Sequence, residues 1–323
     1  MGVVVAVTAA CGGGGKSSPW KELPLGFDNH IRDIQFLDDA NGWMVGGGSV
    51  VEGGLIARTR DGGTTWTVES HVDPLLVRSA NYYMIGVQFV DAQRGWISGD
   101  GGRILRTDDG GLHWDDLRVP IRTRLRDVFF LDRDLGWAVT FSELLLTTDG
   151  GETWSRVPRA YSAGNGSAIQ FLDRHNGIAV GRGGILRSSD GGHGWQKLEA
   201  PDVEYRAIDF PSAGAGWAVG EGGTILHSAD GGTSWQAQAS GVTALLRDER
   251  FLDERRGWVV GTIPGNDKSV ILWTEDAGTT WALQQEVPGL ELETITALDD
   301  RHAWTAGRRV SVDGPQTILR FSP

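Results

Sequence analysis

The sequence predicts an all-β chain folded as a seven-bladed β-propeller of four-stranded blades, on three observations. First, one phrase ending in tryptophan recurs along the chain, at Trp66, Trp114, Trp154, Trp195, Trp235 and Trp281, with successive copies 40 to 48 residues apart. That period suits a unit of four short strands. Second, two more columns run ahead of it. One holds Gly42-Trp43, Gly95-Trp96, Gly136-Trp137, Gly216-Trp217 and Gly257-Trp258, with Gly177-Ile178 and Ala303-Trp304 as variants. The other reads IQFLD from Ile34, VQFVD from Val87, VFFLD from Val128, IQFLD from Ile169 and IDFPS from Ile208, with weaker copies near 250 and 296. Third, the last unit stops at Pro323 after three strands, and a strand in register stands at the other end, where Trp20 lies 46 residues before Trp66.

Composition agrees. Among 323 residues there are 48 glycines and 14 tryptophans but only 4 tyrosines, a turn-rich make-up with aromatic wedges. No apolar pattern is sustained at helical spacing. The formal charge of −12 argues against nucleic acid as a partner, since phosphate binding needs a surplus of Lys and Arg. No segment after the N-terminus is long and apolar enough to cross a bilayer.

Taken in order, the first segment carries VVVAVTAACGGGGKSSP, from Val3 to Pro19, around Cys11, the only cysteine. A short apolar run, small residues before one Cys and a Gly/Ser tether resemble a bacterial lipoprotein signal. The resemblance implies a signal remnant at 1–10, a lipidated Cys11 with a flexible tether over 11–17, and the propeller over 18–323. A basic n-region is missing, and Thr8 stands where Leu is commonest. Next, SPWKELPL, Ser18 to Leu25, is the strand expected to complete the last blade and remove two exposed edges. Within one blade the strands are expected at 126–132, 136–140, 143–148 and 153–157, with alternating apolar residues and Gly/Asp at the turns. In TTDGGETW, from Thr147 to Trp154, the glycines tolerate positive φ and the Asp carboxylate holds the turn by accepting backbone N–H groups. The tryptophan that follows is expected to wedge between blades.

The phrase Ser/Thr-x-Asp-x-Gly-x-Thr-Trp is similar to the Asp-box, or BNR repeat. TRDGGTTW, TTDGGETW and TEDAGTTW match it fully; TDDGGLHW, SSDGGHGW and SADGGTSW depart at the Thr before Trp. That resemblance places the motif at the outer lower edge of each blade, as scaffold. The longer blade phrase, from FLD through GW to the Asp-box, resembles the photosystem II stability and assembly factor family and its bacterial relatives. It implies a seven-bladed, exported, non-enzymatic propeller that binds a membrane protein. Sialidases and other glycoside hydrolases also carry Asp-boxes, and a carbohydrate-active propeller is the alternative. The sialidase Arg-Ile-Pro motif is absent; VPIRTR at 119–124 has the wrong order.

In this architecture the inner strand of each blade starts at the upper face. The residues aligned there are Arg32, Ile85, Arg126, Ser167, Arg206, Arg247 and Glu293, so four of seven are arginines ringing the channel mouth. A guanidinium binds two carboxylate oxygens at once. The competing reading pairs each Arg with a neighbouring Asp such as Asp33, Asp127 or Asp248, for little gain. Tyr82, Tyr83, Tyr161 and Tyr205 all fall in segments leading into inner strands, so they map to the same face; aromatics with arginines suit protein recognition. The competing reading makes tyrosine a loop anchor. Asp100, Glu143 and Glu221 are the carboxylates a glycosidase would draw on, but they recur at hairpin tips without a pairing motif. No metal set, phosphate loop or catalytic triad is suggested, so no cofactor is expected.

The function read from the sequence is a monomeric binding or assembly module, exported and lipid-anchored at a bacterial membrane, in the periplasm or at the cell surface. Arg32, Arg126, Arg206, Arg247, Tyr82, Tyr83 and Tyr161 are its contact residues, meeting acidic groups on an envelope or membrane protein.

Overall fold

Most inner strands bury a residue at their start, skip two, and then alternate buried with half-buried residues. Leu125–Phe130, for example, hides Leu125, Val128 and Phe130, and the Gly-Trp strand after it, Gly136–Thr140, is buried throughout. A strand screened on both sides must sit between others, and that is where the computed structural model puts it. It describes residues 18–49, 53–69, 83–157, 166–310 and 316–323. Seven four-stranded antiparallel sheets follow one another around the channel. The inner strands, blade by blade, are His30–Phe36, Met84–Phe89, Leu125–Phe130, Gly166–Phe171, Tyr205–Asp209, Leu245–Phe251 and Leu290–Ala297. The seven-bladed propeller read from the sequence is the observed fold.

The closure is also as read. Trp20–Pro24 pairs antiparallel with Thr317–Phe321, Trp20 opposite Phe321 and Pro24 opposite Thr317, to complete the seventh sheet. Trp20 has a specific place to fill. In four interfaces an indole of the Gly-Trp column stacks on the FLD phenylalanine of the next blade, with ring centroids 3.5 to 3.6 Å apart: Trp96 on Phe130, Trp137 on Phe171, Trp217 on Phe251 and Trp304 on Phe36; in a fifth, Trp43 lies tilted on Phe89 at 4.2 Å. Blade seven has Ala297 where the phenylalanine would be. There Trp20 and Phe321 pack against Trp258 instead, at 6.3 and 5.4 Å. The Trp20 and Trp258 indole N–H groups both donate to Gln284 Oε1.

These contacts correct the expected role of the Asp-box tryptophans. The fully buried wedges are the Gly-Trp residues, six of which are at most 1 % exposed. The Asp-box tryptophans stand edge-on to the phenylalanine of their own blade, at 5.8 to 6.0 Å, and most remain partly exposed. They cap the stack from outside because the Asp-box turn brings the chain back at the blade's outer corner.

The Asp-box turns repeat almost atom for atom. In blade three, Thr147 donates its hydroxyl to Asp149 at 2.8 Å, and Asp149 accepts the Thr153 N–H and hydroxyl at 2.9 and 2.5 Å. Gly151, at φ +89°, donates its N–H to Thr147 Oγ1. The carbonyl of one box glycine then accepts the indole N–H of the preceding blade: Gly62 from Trp304, Gly150 from Trp96, Gly191 from Trp137. The motif is therefore both a turn and a blade-to-blade tie.

Candidate functional site

The same inner strands carry a second set of ties, on the channel side. A one-residue irregularity early in each strand, such as that between Ile31 and Asp33 or between Leu125 and Asp127, turns one side chain aside at the mouth. The next residue then faces the following blade. Asp33 accepts the Val87 N–H at 2.9 Å, Asp127 accepts Ile169 at 2.9 Å and Asp248 accepts Ile295 at 2.7 Å. Two residues on, Gln35, Gln88 and Gln170 clamp the next phenylalanine's N–H and carbonyl together. Asp209 does half of this, accepting the Phe251 N–H at 2.6 Å. These aspartates are thus occupied by backbone donors, and the pairing of each arginine with the Asp beside it is not what forms.

The arginines stand above them. Arg32, Arg126, Arg206 and Arg247 all line the upper part of a channel of about 590 Å³, together with Arg124 and Glu293. This end is opposite the Asp-box turns: Leu125 pairs with Thr140 at the channel mouth, whereas Gly136 pairs with Thr147 at the start of the box. The column read from the sequence is therefore brought together on the face away from the DGG corners. Arg32 and Arg247 straddle Glu293, at 3.3 and 3.4 Å, with His30 Nε2 at 3.7 Å. Burial alone would raise the Glu293 carboxyl, but His30, Arg247 and Arg32 more than offset it and hold it below its ordinary value. Burial, with Arg32 nearby, pushes the His30 pKa down despite Glu293. Arg206 reaches Glu204 at 3.2 Å. The buried Nε–H groups of Arg32, Arg206 and Arg247 find no acceptor among the described residues.

Tyr83 lies between two of these cations. The Arg32 guanidinium is 5.2 Å from its ring centroid and that of Arg124 is 5.6 Å away, distances at which a cation is drawn to the ring face. Arg124 grips Asp100 with both arms, at 2.5 and 3.1 Å, and Asp100 also accepts the Tyr83 N–H at 3.1 Å. Arg124 was invisible to column alignment because it enters from the loop before the strand. Tyr82, Tyr161 and Cys11 lie outside the described residues. Tyr205 does not belong to the surface: it is fully buried, and its hydroxyl donates to the Pro201 carbonyl at 2.9 Å, the loop-anchor role.

Below the arginines sits a row of carboxyls with unusual electrostatics. Desolvation pushes Asp33 up to about 6, Asp127 to about 7 and Asp248 to about 8, against the lowering effect of their N–H donors. Glu249 takes the place that Ile34, Val128, Ile169 and Ile295 hold in other blades. It is 4 % exposed, neither oxygen has a partner among the described residues, and burial with Asp248 and Asp209 nearby raises it well above the ordinary range. Of the three carboxylates considered for glycoside hydrolysis, Asp100 is engaged as above and Glu143 by Arg156 at 3.4 Å, while Glu221 stands exposed at its own hairpin tip. Among the described residues no cluster of three or more His, Cys, Asp or Glu side chains is placed to hold a metal ion.

Residues 14–120, 112–199 and 163–239 match the family described as "Photosynthesis system II assembly factor YCF48". Over 143 residues the chain is 33 % identical to the photosystem II assembly lipoprotein Ycf48 of Synechococcus sp. (strain CC9902). That match covers 43 % of this chain and 40 % of the relative, so it spans less than half of that protein's length. Among solved structures, one described as "YCF48 bound to D1 peptide" superposes with a TM-score of 0.73 at 21 % identity, over 95 % of this chain and 98 % of that one. YCF48 from Cyanidioschyzon merolae superposes with a TM-score of 0.72 at 22 % identity, over 94 % and 99 %. At these identities the two structures share the fold.

Proposed function

Since the chain belongs to the photosynthesis system II assembly factor YCF48 family, we propose that it is a binding or assembly module whose upper face takes an acidic segment of a membrane or envelope protein. One observation carries this: four arginines from four different blades converge on the channel mouth, at the end where no structural turn needs them. Arg32, Arg126, Arg206 and Arg247 meet carboxylates of the partner. Tyr83, with Tyr82 and Tyr161 from the adjoining segments, supplies apolar contact area. Arg124 joins the set through Tyr83. Glu293 and Asp100 hold the guanidiniums in place, which lowers the ordering cost of binding.

The rest of the reading follows from the N-terminus and from the relatives. Residues 1–10 are the remnant of a signal, Cys11 carries lipid, and 11–17 tether a monomeric propeller to the outside of a bacterial membrane. The relatives named assembly lipoproteins support the anchor, and the solved YCF48 with its D1 peptide supports a peptide ligand.

The test is titration of a synthetic D1 peptide, beside a copy with its acidic residues changed to amides. Binding that needs the acidic groups, weakens with salt and is lost in the double variant Arg126→Ala, Arg206→Ala supports the function. Equal binding of both peptides, or none, removes it.

A further inference from the structure

The channel mouth is not uniform around its circumference. On one arc, spanning blades six, seven, one and two, the charges are already matched: Arg247 and Arg32 on Glu293, Arg124 on Asp100. On the opposite arc the hairpin tip between the second and third strands of blade three breaks the pattern of its neighbours. Blade two turns through Gly99-Asp100-Gly101-Gly102, blade four through Gly181-Arg182-Gly183-Gly184 and blade five through Gly220-Glu221-Gly222-Gly223. Blade three reads Thr140-Phe141-Ser142-Glu143. Phe141 is 51 % exposed. The other exposed large apolar residues among those described are Val68 and Leu283 on outer strands and Leu112 in an Asp-box turn, so Phe141 stands apart at the channel mouth.

The tip is rigid. Thr140 Oγ1 accepts the N–H groups of Ser142 and Glu143 at 3.1 and 2.9 Å, and the Thr140 N–H donates to the Glu143 carbonyl at 2.9 Å. The ring is held where the Arg126 guanidinium comes within 5.7 Å of its centroid. Arg182, at the matching position of the next blade, is exposed and makes no ion pair with a described residue. A bulky ring fixed in water, in place of glycine-rich turn chemistry, with cations beside it, is the arrangement of an interface anchor.

Resting on the proposed function above, we infer that the Phe141 tip is the anchoring subsite of the recognition face, taking an apolar side chain of a peptide whose neighbouring carboxylate meets Arg126 and Arg182. The occupant follows from charge and shape: the cations select an acid, and a single exposed ring selects a flat or branched apolar group next to it. The matched arc then orients the remainder of the segment.

The experiment follows the phenylalanine ring signals of ¹³C-Phe-labelled protein by NMR, with N-acetyl-Trp-Glu amide as probe in the millimolar range. Phe141 is assigned by its loss in Phe141→Ser. The expected result is a saturable shift of the Phe141 signals, with affinity at least about fivefold weaker for N-acetyl-Trp-Lys amide and for N-acetyl-Ser-Glu amide. Phe141→Trp should keep probe binding, and Phe141→Ser, at a half-exposed turn, should lose it. Unmoved Phe141 signals, or equal binding of the Glu and Lys probes, would overturn the subsite. So would full D1-peptide affinity in Phe141→Ser. If the wild-type protein ignores the D1 peptide but the probe still finds Phe141, the proposed function fails and the subsite stands.

Discussion

Aspartate appears at both ends of this propeller, and the two ends use it in opposite ways. On the underside it sits in an exposed turn with donors converging on it. Despite some desolvation, the His113 N–H and ring hold Asp109 down to about 2, and Arg133 with two backbone N–H groups does the same for Asp91. In the channel wall Asp33, Asp127 and Asp248 accept similar backbone bonds, yet desolvation outweighs them and drives the carboxyls upward. The lower rim spends its acidic residues on scaffold that repeats blade after blade. The upper rim does not repeat: arginine, isoleucine, serine and glutamate occupy one column, and that irregularity is where recognition is expected.

This contrast can be strained from the scaffold side first. Trp137 is fully buried, stacks on Phe171 at 3.5 Å and donates to Gly191. Trp137→Ala should destabilise by about 3–5 kcal/mol in urea unfolding while the folded fraction keeps the peptide binding proposed above. A loss of affinity larger than the unfolded fraction explains would tie the scaffold to the site.

Glu249 gives the next largest effect, with the opposite sign. A partnerless buried carboxyl in a column of aliphatics is a liability, so Glu249→Val should stabilise by about 1–3 kcal/mol at pH 8. The pH dependence follows by linkage. Where the folded pKa lies above the unfolded one, the native state holds protons the unfolded chain has lost. Stability is then full below the unfolded value and falls as pH rises through the folded one. For the channel carboxyls that window runs from about 4 to about 8. For the underside aspartates, whose pKa values are lowered, stability is present above the unfolded value and is lost as pH falls toward about 2. Melting temperature should therefore peak near pH 4 to 5 and decline toward pH 8, and Glu249→Val should flatten the decline. A melting temperature that climbs from pH 5 to pH 8 would contradict the raised channel carboxyls.

A smaller effect is expected for a single Asp-box. Asp149→Ala removes the acceptor for Thr147 and Thr153 at an exposed turn, so a loss of about 1–2 kcal/mol is expected with peptide affinity unchanged.

The fold was legible because its signals repeat. Trp20 could be placed by counting from Trp66, and its pairing with Phe321 follows from that register. What was misread was the division of labour between the two tryptophan columns, since spacing says where a ring falls along a strand but not how deep it sits. The site was half legible. Arg32, Arg126, Arg206 and Arg247 could be aligned because they occupy one column, and the channel gathers them. Arg124 and Phe141 were missed because each belongs to a loop where one blade departs from the others. Alignment treats such departures as noise, although they are where function can be added at no cost to the ring. For Tyr205 the position points to the upper face, and its packing decides for the competing loop-anchor role.

One consequence of the geometry governs how the arginines must be tested. Removing Arg32 and Arg247 alone would strand Glu293, 12 % exposed at its side chain, without its counter-charges, and an orphaned buried charge costs about 3–5 kcal/mol. The decisive measurement therefore compares wild type with the variant carrying Arg32→Ala, Arg126→Ala, Arg206→Ala and Arg247→Ala together with Glu293→Gln, reading unfolding free energy and D1-peptide affinity side by side. The expected result is stability within about 1 kcal/mol of wild type and affinity at least about a hundredfold weaker. Retained affinity, or a stability loss as large as that of Trp137→Ala, would show that the arginine ring is scaffold like the rim below it.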